Sequence, residues 1–406
     1  MKILQINSVF NYGSTGKIVE QLNSLIMKQG WTSYVAYGRH FHNSILKKFK
    51  FSSTLEVIIN ILETRIFDNH GFGTQHATKK LVSYIEKIKP DVVHIHNLHG
   101  YYINIQELFK YLKNSSLPVI ITLHDCWTFT GHCAHFDYIG CEKWKEHCMK
   151  CPQIRSYPAS FFIDRSYKNF ELKRELFNSI SNLTIVPVSE WINGLVQQSF
   201  LASKSRVVIK NGVNLDLFKP LNSRQSIINK YNLQGRYIIL AVASIWSARK
   251  GLNDILCIAD NIGNEYLFII VGDRINKVAS KRSNVKIIRK TEDQEELVEL
   301  YSAADLFINP TYEDTLPTTN IEALACGTPV LTYNTGGSPE TIDSETGFIV
   351  PKGDIDAMIQ VIRSFSQKGK DSMTVACRKR AEKYFNKDER FMDYIKLYER
   401  ILKGEK

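Results

Sequence analysis

Short apolar runs recur along the chain, and longer segments with the helical spacing of apolar residues lie between them. The predicted strands are, in chain order, KILQI, SYVAYG, DVVHIH, PVIITLH, LTIVPVS, RVVIKNG, YIILAVAS, LFIIVG, VKIIR, LFINP and TPVLTY. Most of these runs are continuously apolar and rich in Val and Ile, which is typical of parallel strands that helices cover on both faces. The pattern predicts an α/β fold.

The alternation of strands and helices continues on both sides of about residue 190. A chain of 406 residues also exceeds the usual length of a single domain. We therefore predict two Rossmann-like parallel-sheet domains, over residues 1–190 and 191–385, that face each other across a cleft. Ligands of such sheets bind at the carboxyl ends of the strands, so we expect the functional residues there.

Composition and charge narrow the class of protein. A hydrophobic content of 44% and a charged content of 23% fit a folded enzyme rather than a disordered chain. The net charge of +11 suits a phosphorylated ligand or an anionic membrane, but it is too diffuse to indicate nucleic acid. No apolar run is long enough to span a bilayer, and the first residues lack a signal-peptide pattern. We expect a cytoplasmic protein that can associate with the inner face of the cell membrane.

The segment Phe51–Phe67 has the pattern of an amphipathic helix. Its apolar stripe consists of Leu55, Ile58, Ile59, Leu62 and Ile66. Basic residues Lys47, Lys48 and Lys50 precede it, so the segment is a candidate for contact with an anionic membrane surface. The alternative is that the stripe packs against the core of the protein or at a domain interface.

A Gly-rich stretch, NYGSTGK, follows the first predicted strand and leads into a helical segment. It is not a P-loop, because Asn11 replaces the first glycine and Ile18 stands where Ser or Thr would bind magnesium. Gly13 and Gly16 still permit a tight turn at a helix N-terminus, where backbone N–H groups and the helix dipole favour an anion. The stretch is a candidate phosphate-binding loop, and a plain strand-to-helix turn is the alternative.

Charged and polar residues of the second half collect where predicted strands end. They are Arg249, Lys250, Glu313, Thr318, Thr319, Asn320 and Glu322. The two basic residues follow YIILAVAS, the first glutamate follows LFINP, and the others open the next helix, for which Thr and Asn are good N-cap residues. Cations, carboxylates and a helix N-terminus at adjoining strand ends indicate a site for an anionic ligand rather than isolated helix caps.

The order of these motifs resembles the retaining, GT-B-fold glycosyltransferases of family 4. The matching pieces are NGVNLDLFKP, RKG, YSAADLFINPTYEDTLPTTNIEALACGTPVLTYNTGGSPE and ETGFIVPKGD, over about residues 210–354. In the first half, LHDCWTFTGHCAHFDYIGCEKWKEHCMKCPQ is similar to a subgroup that makes capsule, colanic-acid and O-antigen-type polysaccharides. The resemblance covers nearly the whole chain. We also expect a final helix, about residues 386–406, to pack back on the first domain.

The resemblance implies that the strand-end residues bind a nucleotide-sugar donor. In that arrangement Arg249 and Lys250 neutralise the diphosphate together with the helix N-terminal amides. Glu322 holds the ribose, and Glu313 contacts the donor sugar as a catalytic residue. The first-domain loop with Gly13 closes over the diphosphate or the acceptor. No DxD pair marks a metal site, and the resemblance implies that catalysis needs no metal or other cofactor.

Two features depart from the family pattern. Glu313 and Glu322 enclose eight residues, one more than is usual in the family, and Asp314 stands in its Gly-rich part. Ser244 lies near the position of the usual arginine, so we expect Arg249 to supply the second positive charge from a shifted position.

Histidines stand at two strand ends of the first half, in DVVHIHNLHG and TLHD. His124 and Asp125 follow a predicted strand directly, and we predict that they take part in catalysis or contact the acceptor. A lone histidine is more often a satisfied core residue, and we expect this of His94.

Four cysteines, Cys133, Cys141, Cys148 and Cys151, have the spacing C-x7-C-x6-C-x2-C, and its final C-x2-C is typical of zinc sites. Cytoplasmic thiols stay reduced, which favours a metal over disulfides. A structural zinc would order an insertion over about residues 126–152 that has little apolar periodicity. The alternative is a loop of partly buried thiols.

We therefore predict a hexosyltransferase of cell-surface polysaccharide biosynthesis. It moves a sugar from a nucleotide-sugar donor to a glycan acceptor, which we expect to be a lipid-linked oligosaccharide. The resemblance implies retention of anomeric configuration and leaves UDP and GDP sugars open as donors. One alternative is a GT-B-fold epimerase or phosphorylase, although no pyridoxal-binding lysine region is evident. Another is a sugar-nucleotide-binding protein without transferase activity, against which the glutamate pair and the RKG motif argue.

Overall fold

The computed structural model describes residues 1–40, 47–233, 235–275 and 282–405. The chain folds into two compact units. The first consists of Met1–Ile209 with Phe391–Lys406, and the second of Lys210–Arg390. Within the described part of the chain, no helix combines the length and the apolar character needed to cross a bilayer.

The first unit is built on a parallel sheet. Its strands are β1 (Lys2–Asn7), β2 (Thr32–Tyr37), β3 (Lys48–Lys50), β4 (Val92–Ile95), β5 (Val119–Leu123), β6 (Leu183–Pro187) and β7 (Ser205–Arg206). They lie in the order β3-β2-β1-β4-β5-β6-β7, and β1 pairs Ile3 with Ser33 on one side and with Val92 on the other. β4 and β5 are buried along their whole length, as expected for the continuously apolar runs that form them.

The helices of this unit are α1 (Gly13–Lys28), α2 (Thr54–Phe67), α3 (Gln75–Ile88), α4 (Ile105–Asn114), α5 (Ser166–Asn178) and α6 (Glu190–Gln197). α2 begins with a capping box, in which Ser53 and Glu56 each accept a hydrogen bond from the backbone N–H of the other. Between β5 and α5 the described chain forms short 3-10 turns at Trp127–Phe129, Asp137–Ile139 and Lys143–Lys145. This region contains the insertion with the four cysteines.

The second unit is also built on a parallel sheet. Its strands are β8 (Tyr237–Ile245), β9 (Tyr266–Asp273), β10 (Val285–Ile288), β11 (Leu306–Asn309), β12 (Val330–Tyr333) and β13 (Gly347–Val350), in the order β10-β9-β8-β11-β12-β13. Its helices are α7 (Arg224–Tyr231), α8 (Leu252–Ile262), α9 (Gln294–Ala303), α10 (Thr318–Ala325), α11 (Ile355–Ser366) and α12 (Asp371–Phe385). Apolar residues of α8 and α11 form one buried core with those of the strands.

The last helix, α13 (Lys387–Leu402), continues from the second unit into the first. Its Tyr394 and Tyr398 are buried in one core with Ile3 and Val92 of the first sheet. The Tyr398 hydroxyl lies 2.7 Å from Nδ1 of His94, whose Nε2 lies 2.8 Å from Thr122 Oγ1. His94 is therefore a satisfied core residue, as its sequence context predicts.

The two Rossmann-like parallel sheets confirm the predicted fold class. The run RVVIKNG, however, is predicted as a strand of the second domain and forms only the end of β7, which pairs with β6 in the first sheet. Residues 191–209, assigned to the second domain above, consequently belong to the first unit in the structure.

Candidate functional site

The loops after β8 and β11 are in direct contact. The backbone N–H of Tyr312 donates to the carbonyl of Arg249 at 2.8 Å. Gly251, with φ +74°, packs so closely that a Cβ there would lie 2.0 Å from the carbonyl oxygen of Pro310. Only glycine fits this approach, which explains the glycine of the RKG motif.

The loop after β12 in turn contacts the loop after β11. The backbone N–H of Gly337 donates to the carbonyl of Asp314 at 2.9 Å, and a Cβ on Gly336 would lie 2.1 Å from that oxygen. The Thr335 hydroxyl donates to the carbonyl of Thr311 at 2.6 Å. The three loops, here called the strand-end group, thus form one connected structure at the carboxyl ends of neighbouring strands.

Both predicted cations are attached to the loop after β11. Lys250 Nζ lies 2.5 Å from Asp314 Oδ2, and neither side chain is fully buried. The guanidinium of Arg249 donates to the backbone carbonyl of Glu313. Arg249 and Lys250 therefore share one location, and Asp314, which sequence reasoning noted only as a departure, supplies the ionic partner of Lys250.

The two glutamates differ in their exposure. Glu313 is fully buried, so its side chain is inaccessible to solvent in this conformation. Glu322 on α10 is partly exposed and accepts a hydrogen bond of 2.9 Å from the hydroxyl of Tyr301. Burial and the neighbouring Glu322 raise the pKa of Tyr301 well above its ordinary value, so Tyr301 remains a neutral donor that orients this carboxylate.

The start of α10 differs from the prediction. Thr318 is the first helical residue, and the N-cap position belongs to Pro317, whose extended backbone (φ −67°, ψ 110°) leads into the helix. The expectation that Thr318, Thr319 or Asn320 caps α10 is therefore wrong. The side chain of Asn320 is fully buried, where it donates to Thr341 Oγ1 at 3.0 Å and accepts from Asn309. The backbone N–H groups of the first turn, rather than the Asn320 side chain, are the part of α10 suited to an anion.

The Gly-rich stretch of the first unit forms the start of α1. Gly13 is the first helical residue and has φ +63°, a conformation that favours glycine, and nothing lies within 4 Å of where its Cβ would be. Gly16 is packed more tightly, since a Cβ there would lie 3.1 Å from Val9 Cγ2, and its carbonyl accepts from the N–H of Asn11. The described geometry is a glycine turn at a helix N-terminus.

His124 is half-buried and lies at one end of a chain of hydrogen bonds that leads to buried residues. Its Nε2 is 3.2 Å from Nδ1 of His96, whose Nε2 is 3.2 Å from Gln5 Oε1. Burial lowers the pKa of His124 to about 4, so its imidazole is neutral near pH 7.

Asp125, directly after His124, is paired with a different histidine. Its Oδ2 lies 2.6 Å from Nε2 of His99, and its Oδ1 accepts from the backbone N–H of Trp127 at 2.9 Å. Burial tends to raise the pKa of Asp125, but His99 outweighs it and holds the pKa well below the ordinary value. The other ring nitrogen of His99 lies 2.9 Å from the hydroxyl of Tyr157. Sequence reasoning noted His99 without a role and missed Tyr157 entirely.

The four cysteines of the insertion, Cys133, Cys141, Cys148 and Cys151, line one small cavity as free thiols. A hydrogen bond between Cys133 and Cys151, together with burial, raises the pKa of the Cys133 thiol. Over the described ranges, however, no three or more His, Cys, Asp or Glu side chains are grouped so as to hold a metal ion. A zinc ion would have to draw the thiols into a ligand set, and the zinc site stays a prediction.

Comparison with known proteins identifies the class of this molecule. Residues 223–384, which contain the strand-end group, match the family described as "Glycosyl transferases group 1". With the relatives below, this match shows that the chain is a glycosyltransferase, as its motifs predict.

Relatives and a solved structure extend the likeness over the full length. The chain is 24% identical to WcaC of Escherichia coli K12, named as a colanic acid biosynthesis glycosyl transferase, over 99% of this chain and 100% of WcaC. It is 23% identical to N,N'-diacetylbacillosaminyl-diphospho-undecaprenol alpha-1,3-N-acetylgalactosaminyltransferase of Campylobacter jejuni, over 74% of this chain and 82% of that protein. The structure of Anabaena Alr3699/HepE with UDP-glucose superposes with a TM-score of 0.67 at 14% identity, covering 98% and 99% of the two chains. These matches confirm the predicted GT-B fold class and the likeness to polysaccharide glycosyltransferases.

Proposed function

We propose that this glycosyltransferase binds a nucleotide sugar at the strand-end group and transfers the sugar, with retention, to a lipid-linked glycan during cell-surface polysaccharide biosynthesis. The attachment of both Arg249 and Lys250 to the loop that leads into α10 carries the proposal. The name of the E. coli relative supports the pathway class, that of the Campylobacter relative supports a lipid-linked acceptor, and the HepE complex supports a nucleotide-sugar donor.

The leaving group explains the need for cations. Cleavage of the bond between the anomeric carbon and the diphosphate builds negative charge on the phosphate and positive charge on the sugar ring. Lys250 and Arg249 would stabilise that phosphate charge, together with the backbone N–H groups at the start of α10. Because Lys250 is paired with Asp314 in the structure, binding of a diphosphate would exchange a carboxylate partner for a phosphate partner.

The ribose would bind at Glu322. A carboxylate has several lone-pair sites, so Glu322 can accept from a ribose diol while it also accepts from Tyr301. Glu313 is buried in this conformation, and contact with the donor sugar through its side chain would require the loop after β11 to shift. His124 and Asp125 stay proposed as first-unit residues for catalysis or acceptor contact.

A thermal-shift screen of UDP-, GDP-, ADP- and dTDP-sugars, followed by calorimetric titration of the best ligand, tests the donor site. We expect one nucleotide class to raise the unfolding midpoint, and Glu322→Gln to weaken its binding. Release of free sugar or its transfer to a glycan distinguishes a transferase from a binding protein, and an altered sugar on an intact nucleotide would indicate an epimerase. No stabilisation by any of the nucleotide sugars would contradict the proposal.

We further propose that the enzyme reaches its acceptor by docking on the cytoplasmic face of an anionic membrane. The predicted apolar stripe of α2 is exposed along its length, at Leu55, Ile58, Ile59, Leu62 and Ile66. The buried residues of α2 are instead Val57 and the polar Asn60 and Thr64. The stripe therefore does not pack into a core of the chain.

A second exposed segment extends this surface. The backbone N–H of Phe161 donates to the carbonyl of Arg65 at 2.8 Å, and that of Ile163 to Ile66 at 3.2 Å. Phe162 between them is 80% exposed. The exposed apolar side chains of α2 and of Phe161–Ile163 form the apolar patch, and the exposed lysines of β3 precede it in the chain. Apolar side chains beside basic ones are what an anionic bilayer surface binds.

A further inference from the structure

We propose that the first unit contains a carbohydrate-binding subsite in which a neutral sugar ring of the glycan acceptor stacks on Tyr157. The residues concerned, here called the aromatic cluster, are His70, His99, Tyr101, Trp127 and Tyr157. The inference rests on the proposed function, because it names the part of the acceptor that this unit recognises.

Neighbouring aromatic rings hold the ring of Tyr157 in place. Its centroid lies 5.7 Å from that of His70, 5.6 Å from that of His99 and 6.0 Å from that of Tyr101, with interplanar angles of 76°, 74° and 90°. These edge-to-face contacts hold the ring in place, yet Tyr157 remains 47% exposed. A ring that is fixed by its neighbours and about half exposed offers an apolar platform on which the C–H face of a sugar can stack, with little conformational entropy left to lose on binding.

A chain of polar groups stands beside this platform. The Tyr157 hydroxyl is bonded to His99, His99 is bonded to Asp125, and the last two side chains are only 15% and 13% exposed. Burying two such side chains costs desolvation free energy, and their interaction seldom gains more than that cost. A nearly buried pair of this kind therefore suggests a role other than stabilising the fold. Oriented acceptors and donors next to an aromatic face are the groups that bind sugar hydroxyls.

In the described part of the chain, His70 adds an unsatisfied hydrogen-bond donor to the aromatic cluster. The side chain is only 2% exposed, and its Nε2 accepts from the backbone N–H of Gly100 at 3.0 Å, so Nδ1 carries the proton in the neutral ring. Within the residues that the structure describes, Nδ1 has no hydrogen-bond partner. A buried donor without an acceptor is costly, and a ligand hydroxyl that entered beside His70 would remove that cost by accepting from Nδ1.

The Tyr157 ring indicates the kind of ligand. The Asp125 carboxylate would repel a phosphate or a uronic acid placed against His99, whereas Lys173, with Nζ 3.2 Å from the centroid of the Trp127 ring, is a basic group at the same cluster. The neutral-sugar assignment therefore rests on stacking, because a sugar ring has a C–H face that can pack on Tyr157 and a diphosphate has none.

A microbial glycan array probed with the fluorescently labelled full chain tests the inference. We expect the wild-type chain to bind one class of neutral glycans, and Tyr157→Ala to weaken that binding at least about tenfold. Tyr157→Phe keeps the ring and loses the hydroxyl, so the loss should be smaller, about threefold. Calorimetric titration with UDP and GDP measures nucleotide binding by the second unit. The affinity for the nucleotide should be the same in these variants as in the wild type.

The first unit offers a matched control. Tyr167 is 51% exposed beside His147, at a centroid distance of 5.8 Å, and His147 Nδ1 lies 3.0 Å from Glu171. Tyr167→Ala should leave glycan binding unchanged. Nucleotide binding without glycan binding by the wild type, or equal glycan binding by Tyr157→Ala, would overturn the subsite. Absence of nucleotide binding would count against the proposed function instead.

Discussion

The ion pair between Lys250 and Asp314 makes the phosphate role of Lys250 testable with a single substitution. Lys250→Ala should weaken the binding of UDP or GDP, whichever binds, by about tenfold to a hundredfold, because a hydrogen bond to a charged group contributes about 1.5–3 kcal/mol. Calorimetric titration measures the change. Lys230→Ala, which removes another ion-paired lysine of the second unit, is the control and should have no effect. Equal affinity of Lys250→Ala and wild type would place the phosphate site elsewhere.

Asp314→Asn should act in the opposite direction. The substitution removes a carboxylate that competes with phosphate for Lys250, so the same nucleotide should bind a few-fold more tightly. A partly exposed ion pair contributes only about 0–1 kcal/mol to stability, so the unfolding midpoint should change little. Weaker nucleotide binding by this variant would mean that Asp314 itself contacts the ligand.

The sequence predicts the location of these residues better than their partners. Arg249 and Lys250 follow one apolar run, Glu322 lies one turn into the helix after another, and parallel strands bring such positions to one edge of a sheet. The contacts of Lys250 with Asp314 and of Glu322 with Tyr301 depend on how the loops pack, which the periodicity of apolar residues does not encode. The burial of Glu313 was unpredictable for the same reason.

Among the elements, the insertion between β5 and α5 has one observed source of order and one predicted source. Lys173 of α5 is buried and donates to the carbonyls of Trp127 and Thr130 at 2.7 and 3.0 Å. Zinc at the four cysteines would be the second. We expect elemental analysis of purified chain to find about one equivalent of zinc, and Cys148→Ser to lose it together with some stability. Cys257→Ser, which replaces an exposed thiol on α8, is the control and should retain the zinc. Zinc-free protein with an undiminished unfolding midpoint would contradict the prediction.

The apolar patch yields a prediction about α2. The full chain should sediment with vesicles containing anionic lipid, less so as salt rises, since each basic residue near such a surface contributes about 1 kcal/mol. Replacing Lys47, Lys48 and Lys50 with Glu should weaken the binding, and replacing Leu62 with Ser should do so at any salt concentration. Changing three exposed lysines elsewhere in the chain to Glu, such as Lys379, Lys383 and Lys403, controls for net charge. Equal binding to neutral and anionic vesicles would exclude this docking.

The orientation of α2 illustrates a limit of sequence patterns at this scale. The spacing of apolar residues identifies the stripe, but an apolar stripe usually faces a core. Here the polar side is buried because Gly73 lets Asn60 approach closely: a Cβ on Gly73 would lie 1.4 Å from the Asn60 amide nitrogen. That contact joins α2 to the loop that follows it and leaves no periodic signal.

For the whole molecule, the continuously apolar runs predict both parallel sheets, because strands buried on two faces have few other ways to pack. The boundary between the two units is harder to predict from the sequence. β7 has only two residues, Ser205 and Arg206, and joins the first sheet as an edge strand without an apolar run of its own. The return of α13 to the first unit depends on Phe391, Tyr394 and Tyr398, whose spacing alone does not say which core they enter.

The central claim is that this chain moves a sugar from a nucleotide to a lipid-linked glycan. Its most direct test incubates the purified chain with radiolabelled UDP- and GDP-hexoses and with lipid extracted from bacteria that make surface polysaccharide. We predict that label passes into the lipid-soluble fraction with release of the nucleoside diphosphate, and that Glu322→Gln greatly slows the transfer. Label that stays on the nucleotide with every donor, in the presence of that lipid, would contradict the account.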